Sequence, residues 1–422
     1  MPALSPPAPD HSLRNGEFVA MMAMLMALQA LCIDAMLPAL GQIATDLGGG
    51  DPNARQLVIG VYMIAGGFGS LIPGALADRF GRRPVLFTSL ALYVGLGLAC
   101  ALVTDFTTLL ILRAFQAVGS AGLSVMPAAI IRDRISGDRM AKMQSTIAVV
   151  FLLVPAVAPS IGQLVLLFAS WRWIFALMAF MGVLMGLWVY LRLPETLDPA
   201  NRQSVRPRVI AGNMLTTATT RSSIGYVLGS ALVFGSLFGY INCSQQLVSE
   251  HFGAGDKFPL IFGATALAMA VSSFTNARIV EKFGARRISH AAMLLFIVVS
   301  AIQAWVAHLP HQTLWQFMPL MAANMMLLGF IGANFSSIAL QPFGRIAGAA
   351  SSAQAFLRMA IGSTLGSVIG SAYDGTARPL AFGLLACGLA SLALVLWSER
   401  GVLFRRLIPP GAERPVPDNP IR

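Results

Sequence analysis

Gly74-Ala75-Leu76-Ala77-Asp78-Arg79-Phe80-Gly81-Arg82-Arg83 is the stretch whose reading decides the fold. It joins two long apolar runs, near 56–76 and 84–104, and holds one acid, three arginines and two glycines in ten positions. Positive charge gathered between apolar runs marks the side of a membrane that retains it. The two glycines, Gly74 and Gly81, allow a sharp turn and close backbone approach.

The rest of the chain has the same character. Of 422 residues, 56% are hydrophobic and 11% charged, against about 25% charged in an average soluble protein. The apolar residues are spread along the whole length, which indicates a polytopic membrane protein. A net charge of +11 raises the question of nucleic acid. The basic residues recur in short clusters between apolar runs and form no continuous face, so a nucleic-acid partner is excluded. Cys32, Cys100, Cys243 and Cys387 each lie inside an apolar run, with no CxxC spacing, and read as small buried hydrophobes. The segment Met1 to Gly16 is Pro-rich and has no apolar core of its own, so it is not expected to be a cleaved signal.

Twelve runs are long enough to span as helices: 18–38, 56–76, 84–104, 107–130, 141–168, 173–192, 223–248, 258–279, 287–308, 313–338, 347–372 and 379–399. They lack alternating polarity, which excludes a barrel. With twelve spans both termini fall on one side. The loops of that side carry 23 of the 29 Lys and Arg residues; the opposite loops hold only Arg55, Arg172, Lys257 and Arg378, and Arg113 and Arg358 lie within spans. The bias places both termini in the cytoplasm.

The longest connection, 193–222, contains Pro194, Pro199 and Pro207 and reads as a linker. Around it the chain repeats. Ala277-Arg278-Ile279-Val280-Glu281-Lys282-Phe283-Gly284-Ala285-Arg286 matches the opening stretch at an offset of 203 residues, without the first glycine and one arginine. The expected organisation is an all-α membrane protein: a cytoplasmic tail at 1–16, a six-helix half at 17–192, the linker at 193–222, a second half at 223–399 and a tail at 400–422. Two parallel repeats of this kind are related by an axis along the membrane normal.

Four stretches carry a family resemblance. The 74–83 loop is similar to the signature loop after helix two of the major facilitator superfamily. Leu112-Arg113-Ala114-Phe115-Gln116-Ala117-Val118-Gly119 resembles the arginine motif of its proton-coupled members. Val154-Pro155-Ala156-Val157-Ala158-Pro159-Ser160-Ile161-Gly162 is similar to the Pro/Gly motif of antiporters, departing from it at Ser160 and Gln163. Ile33-Asp34-Ala35-Met36-Leu37-Pro38-Ala39-Leu40 resembles the end of helix one in the drug:proton antiporters of the bicyclomycin/chloramphenicol-resistance (Bcr/CflA) type. The resemblance covers essentially the whole chain. It implies a twelve-helix major facilitator fold with a substrate site at mid-membrane between two halves. It further implies efflux of small, largely apolar drugs or metabolites driven by inward proton flow, with no cofactor, in the inner membrane of a bacterium. The partners it implies are protons, a small-molecule substrate and the bilayer, with the chain acting as a monomer. A proton-coupled transporter of a sugar or amino acid on the same fold is the alternative within transport, and a non-transporting receptor or enzyme the alternative outside it.

Asp34 is the only carboxylate embedded in a span. An acid at that depth usually faces a cavity and serves transport, and a low-dielectric surround lets a carboxyl keep its proton to higher pH. The alternative is a structural acid wetted near the periplasmic end. The resemblance links Arg113 to protonation of the helix-one acid, and both lie in the periplasmic half; Gln116 shares the face of Arg113. Related transporters carry a second acid where this chain has Met26. Pro155, Pro159 and Gly162 break or bend span five, and the resemblance gives that kink to antiporters. Asp78, Arg79, Arg82 and Arg83, with Gly74 and Gly81, form the cytoplasmic gate it implies. Met26, Gln29, Tyr62, Gln116, Asn242, Gln245 and Asn334 are candidate cavity residues, and Ser244 and Asn324 are further polar residues near mid-depth. Arg358 either meets an anionic group, lines water or is held by helix carbonyls. His308 and His311 supply too few ligands for a metal, and no ATP-binding motif is present.

Overall fold

A computed structural model describes residues 15–48, 53–134, 138–197, 219–343 and 347–405, with 212, 215 and 216. The expected tails lie outside these residues from 1 to 14 and from 406 to 422, as does most of the linker, Pro199 and Pro207 included.

The described chain is helical in twelve crossings. The first is α1 (Asn15–Asp34) followed by a 3-10 turn (Leu37–Ala39) and α2 (Leu40–Asp46). The second is α3 (Leu57–Gly69) with α4 (Leu71–Phe80), and the third is α5 (Arg82–Leu102). The fourth is α6 (Phe106–Ser120) with α7 (Gly122–Arg134); α8 (Asp138–Phe168) and α9 (Arg172–Arg192) complete the first six. Then come α10 (Arg221–Gln246), α11 (Phe258–Phe283), α12 (Ala285–Val306), α13 (Leu314–Leu340), α14 (Ala347–Ser371) and α15 (Arg378–Ser398). Ten of the crossings are long and apolar enough to traverse a membrane among the described residues. The other two, α8 and α14, run for 31 and 25 residues.

The exterior is apolar. Leu102, Phe168 and Trp315 are each at least 80% exposed, a surface that water would not tolerate and lipid does. The interior holds polar side chains: Asp34, Arg113, Gln116, Asn242, Asn324 and Asn334 are all buried. The four cysteines are buried and free.

The sequence repeat reappears as a packing repeat. Helix α1 packs on α8 as α10 packs on α14; α3 on α6 as α11 on α13; α5 on α9 as α12 on α15. Across the molecule α3 meets α14 and α8 meets α11. The two matching glycines repeat in conformation as well. Gly81 has φ +107° and Gly284 φ +87°, each ending one helix and starting the next. An L side chain rarely adopts such angles, so glycine survives in both copies while other positions have drifted.

Candidate functional site

The first crossing ends early. Helix α1 stops at Asp34, and a 3-10 turn containing Pro38 replaces the continuous span that the apolar run 18–38 suggests. Pro38 is the signal that could have found this break, because proline disfavours helix in the residue before it. Asp34 is therefore the terminal residue of a helix, 4% exposed. Among the described residues its carboxyl makes no hydrogen bond and no ion pair.

Arg113 on α6 is fully buried and reaches the same helix end. Its Nη2 donates to the carbonyl of Cys32 at 2.9 Å, its Nε to the carbonyl of Val58 at 3.4 Å and its Nη1 to Gln116 Oε1 at 2.9 Å. Its guanidinium lies 4.0 Å from the ring centroid of Tyr62 and 5.8 Å from that of Phe175. The last carbonyls of a helix have no partner within it, and a cation there opposes the negative end of the helix dipole. Arg113 thus caps α1 two residues before Asp34 without pairing with the acid. Gln116 donates onward to the Tyr93 carbonyl at 3.4 Å, and Tyr93 donates to the Leu28 carbonyl at 3.1 Å. Tyr62 bonds Ser120 at 3.2 Å. One polar cluster therefore ties α1, α3, α5 and α6 together beside the acid.

Helix α8 closes the other side. It runs unbroken through Pro155 and Pro159. Gly162 sits against the carbonyl of Ala35, the residue after Asp34, so closely that any Cβ would fall inside it. Gly263 of α11 lies against the carbonyl of Ala156, 2.8 Å from where a Cβ would stand. The Pro/Gly stretch is the place where α8 is gripped by α1 and α11.

The 74–83 loop is built around a carboxylate that sequence reasoning missed. Glu195 follows α9 and accepts from the backbone N–H of Arg82 at 2.9 Å and of Arg83 at 3.0 Å, and from those of Thr196 and Leu197. It caps the N-terminus of α5 from outside. A Cβ on Gly81 would stand 2.6 Å from Glu195 Oε2, a second reason for glycine there. Arg82 pairs with Asp78 at 2.6 Å and with Asp133 at 2.8 Å. Arg83 donates to the Tyr190 carbonyl at 2.8 Å and lies over Phe87 and Tyr190. Arg79 is exposed over Phe80, and a Cβ on Gly74 would meet open space. In the second copy Arg286 pairs with Glu399, which follows the last helix as Glu195 follows α9.

Burial pushes the Glu195 carboxyl up, but the N–H groups of Leu197, Arg82, Arg83 and Thr196 outweigh it and hold it below the usual carboxylate range. A depressed folded-state pKa gives stability that is present above the unfolded value of about 4.3 and is lost as pH falls through the folded one. The stability lost on Glu195→Gln is accordingly full at pH 7 and shrinks as the pH falls below the unfolded value of about 4.3, so that it is smaller at pH 3. Thermal melts of both proteins in detergent at the two pH values check this.

At the opposite end of the bundle the start of α3 is sewn to the ends of α10 and α14. Arg55 pairs with Glu250 at 2.5 Å. Asn53 donates to the carbonyls of Ser371 at 3.2 Å and Tyr373 at 2.8 Å. Gln246 bonds both Gln56 and Asn53. These residues were missed too, since nothing local marks them as partners. At the loop end, among the described residues, the hydrogen bonds and ion pairs of Asp78, Arg82 and Arg83 go to residues 133, 190 and 195 and to each other.

The candidate cavity residues have the following neighbours. Tyr62 and Gln116 belong to the Arg113 cluster, and Gln29 is partly buried near Gly66. Met26 is partly buried against the core. Asn242 donates to the Phe238 carbonyl beside Gly60 and Gly370, and Gln245 lies near Gly41. Asn334 turns to Asn276 of α11 at 2.7 Å, and Asn324 to Gln303. Arg358 lies against Phe234 and bonds Ser336.

Comparison with known proteins agrees with this architecture. The family model described as Major Facilitator Superfamily matches residues 20–367. A "Bicyclomycin resistance protein homolog" of Haemophilus influenzae is 28% identical over 92% of this chain and 98% of its own length. "Multidrug resistance protein MdtL" of Klebsiella pneumoniae is 28% identical over 86% of this chain and 91% of its own. Among solved structures, the human organic anion transporter MFSD10 (TETRAN) superposes with a TM-score of 0.67 at 16% identity, over 92% of this chain and 100% of that one.

Proposed function

The chain belongs to the Major Facilitator Superfamily, and on that premise we propose that it is a drug:proton antiporter exporting small, largely apolar compounds by alternating access. It is a multi-pass membrane transporter with bacterial relatives, and it is not an enzyme. The observation that carries the proposal is Asp34, a buried acid with no partner among the described residues, at a helix end that Arg113 already caps. A carboxyl that no base neutralises is costly to ionise inside a membrane protein. It takes a proton when sealed and releases one when water or substrate reaches it. Arg113 is a positioning residue in this scheme: by gripping the Cys32 carbonyl it fixes where α1 ends, and it raises or lowers the cost of charge at Asp34 as that end moves.

The cycle needs two gates. The network of Asn53, Arg55, Gln56, Gln246 and Glu250 is the gate at the periplasmic end, closed here. The 74–83 loop is the gate at the cytoplasmic end, where Asp78 and the open flank of Gly74 await the other half in the opposite conformation. The relatives' names support drug export, since both are called resistance proteins. The linker and both halves act as drawn from the sequence, with both termini in the cytoplasm.

Everted vesicles carrying the chain test the reading. Compounds from a drug panel accumulate when a pH gradient is imposed, and accumulation stops when an ionophore collapses it. Extrusion undiminished without the gradient contradicts proton coupling. The gates are tested separately. A thiol cross-linker joining Asn53→Cys to Tyr373→Cys holds the periplasmic end shut and arrests transport, and a cleavable linker restores it once reduced. Transport at the full rate while linked contradicts alternating access through this end.

A further inference from the structure

One partly buried cation within a span is left out of the proton scheme. Arg358 lies on α14, partly buried, with one hydrogen bond, to Ser336 Oγ of α13 at a marginal 3.5 Å. Its guanidinium stands 4.6 Å from the ring centroid of Phe234 on α10. Among the described residues no carboxylate pairs with it and no backbone carbonyl receives it. That contrasts with Arg113, whose three nitrogens all find acceptors.

One turn earlier on the same face of α14 is Gln354. It is 4% exposed, and its Nε2 has no partner among the described residues. A buried donor left unmet costs about 1–3 kcal/mol, so the Gln354 amide, one turn from a guanidinium held by a single marginal bond, calls for an acceptor. Beside Ser336, Ala333 and Ser337 of α13 are exposed, which leaves a way in.

We propose that Gln354 and Arg358 form an anion subsite that takes a carboxylate of the exported compound. The planar guanidinium matches a carboxylate with two parallel N–H donors. The amide of Gln354 adds a further N–H from the next turn. The ring of Phe234 holds the guanidinium plane on its other side. The compounds exported are then apolar bodies bearing one acidic group, rather than lipophilic cations. The subsite deepens the export reading and rests on it for the identity of the ligand. The binding itself does not require proton coupling.

The test measures equilibrium binding, so that it fails or succeeds independently of Asp34. The full-length protein in phosphatidylcholine nanodiscs is titrated by calorimetry with three aryl carboxylates, each against its primary amide; 1-naphthoate and 1-naphthamide are the first pair. The wild type binds the carboxylate about tenfold more tightly, the worth of a charge-assisted hydrogen bond. Arg358→Gln removes the preference, Arg358→Lys keeps part of it and Gln354→Leu reduces it. Helical content and melting of each variant are followed by circular dichroism, and the lysine variant carries the test if Arg358→Gln does not fold. No preference in any pair, or a preference untouched at both positions, overturns the proposal. A second arm replaces phosphatidylcholine by phosphatidylglycerol. Arg358-dependent binding of that lipid without any carboxylate preference assigns the subsite to a lipid headgroup and overturns its role in export.

Discussion

Asp34→Asn abolishes uphill export and leaves exchange intact. The amide has nearly the shape of the protonated acid and cannot ionise, so the variant still occupies the α1 end beside Arg113 and still binds substrate. In everted vesicles its accumulation of drug under a pH gradient falls to that of membranes lacking the protein. In proteoliposomes preloaded with unlabelled compound, counterflow of the labelled compound persists at a rate similar to that of the wild type. The split separates a coupling role from a structural one. An acid needed only for folding would lose both activities, and an acid of no consequence would lose neither. The environment gives the reason to expect a large effect: the group is buried, unpaired and without a hydrogen bond among the described residues, so nothing else in the site titrates in its place.

Gly162→Ala is the second large effect, and it acts through packing. The added methyl has no room, because the atom it meets is the backbone carbonyl of Ala35 rather than the end of a flexible side chain. Either α8 or the turn after Asp34 must shift. Overpacking of this kind costs about 1–3 kcal/mol, and here the shift is delivered to the residue next to the proton site. The variant melts at lower temperature in detergent than the wild type. It exports poorly even at temperatures where it remains folded, and the pH at which its export is half-maximal moves. Gly95→Ala is the control, since its Cβ enters open space in this structure. Equal melting of Gly162→Ala and the wild type would remove Gly162 from the account.

Much of this architecture is legible in the residues. Long apolar runs must be helices in lipid, and the repeat of the 74–83 stretch at 277–286 announces the packing repeat. The two glycines of the repeat, Gly81 and Gly284, identify themselves because a positive φ is demanded by both turns. Asp34 stands out as the single acid in an apolar run. What the residues do not reveal are partners distant in sequence. The acceptors of Arg113 are backbone carbonyls at 32 and 58, which carry no mark in the side-chain pattern. Tyr373 meets Asn53 across 320 residues. Glu195 looks like one more acid after a helix until the fold brings it to the N–H groups of Arg82 and Arg83. Gly162 suggests a kink from its company of prolines, and its close contact with the Ala35 carbonyl carries no mark in the sequence. The early end of α1 was available from Pro38, but the unbroken apolar run hides it.

The central claim is that Asp34 gives up a proton as substrate binds. It is tested most directly by mixing purified protein with an exported drug in weakly buffered detergent solution and following the pH with an indicator dye. The wild type releases protons in a saturable manner, in proportion to bound drug, over a pH range where Asp34 is protonated before binding. Asp34→Asn binds the drug and releases none. Binding by the wild type without proton release, or equal release from both proteins, would contradict the assignment.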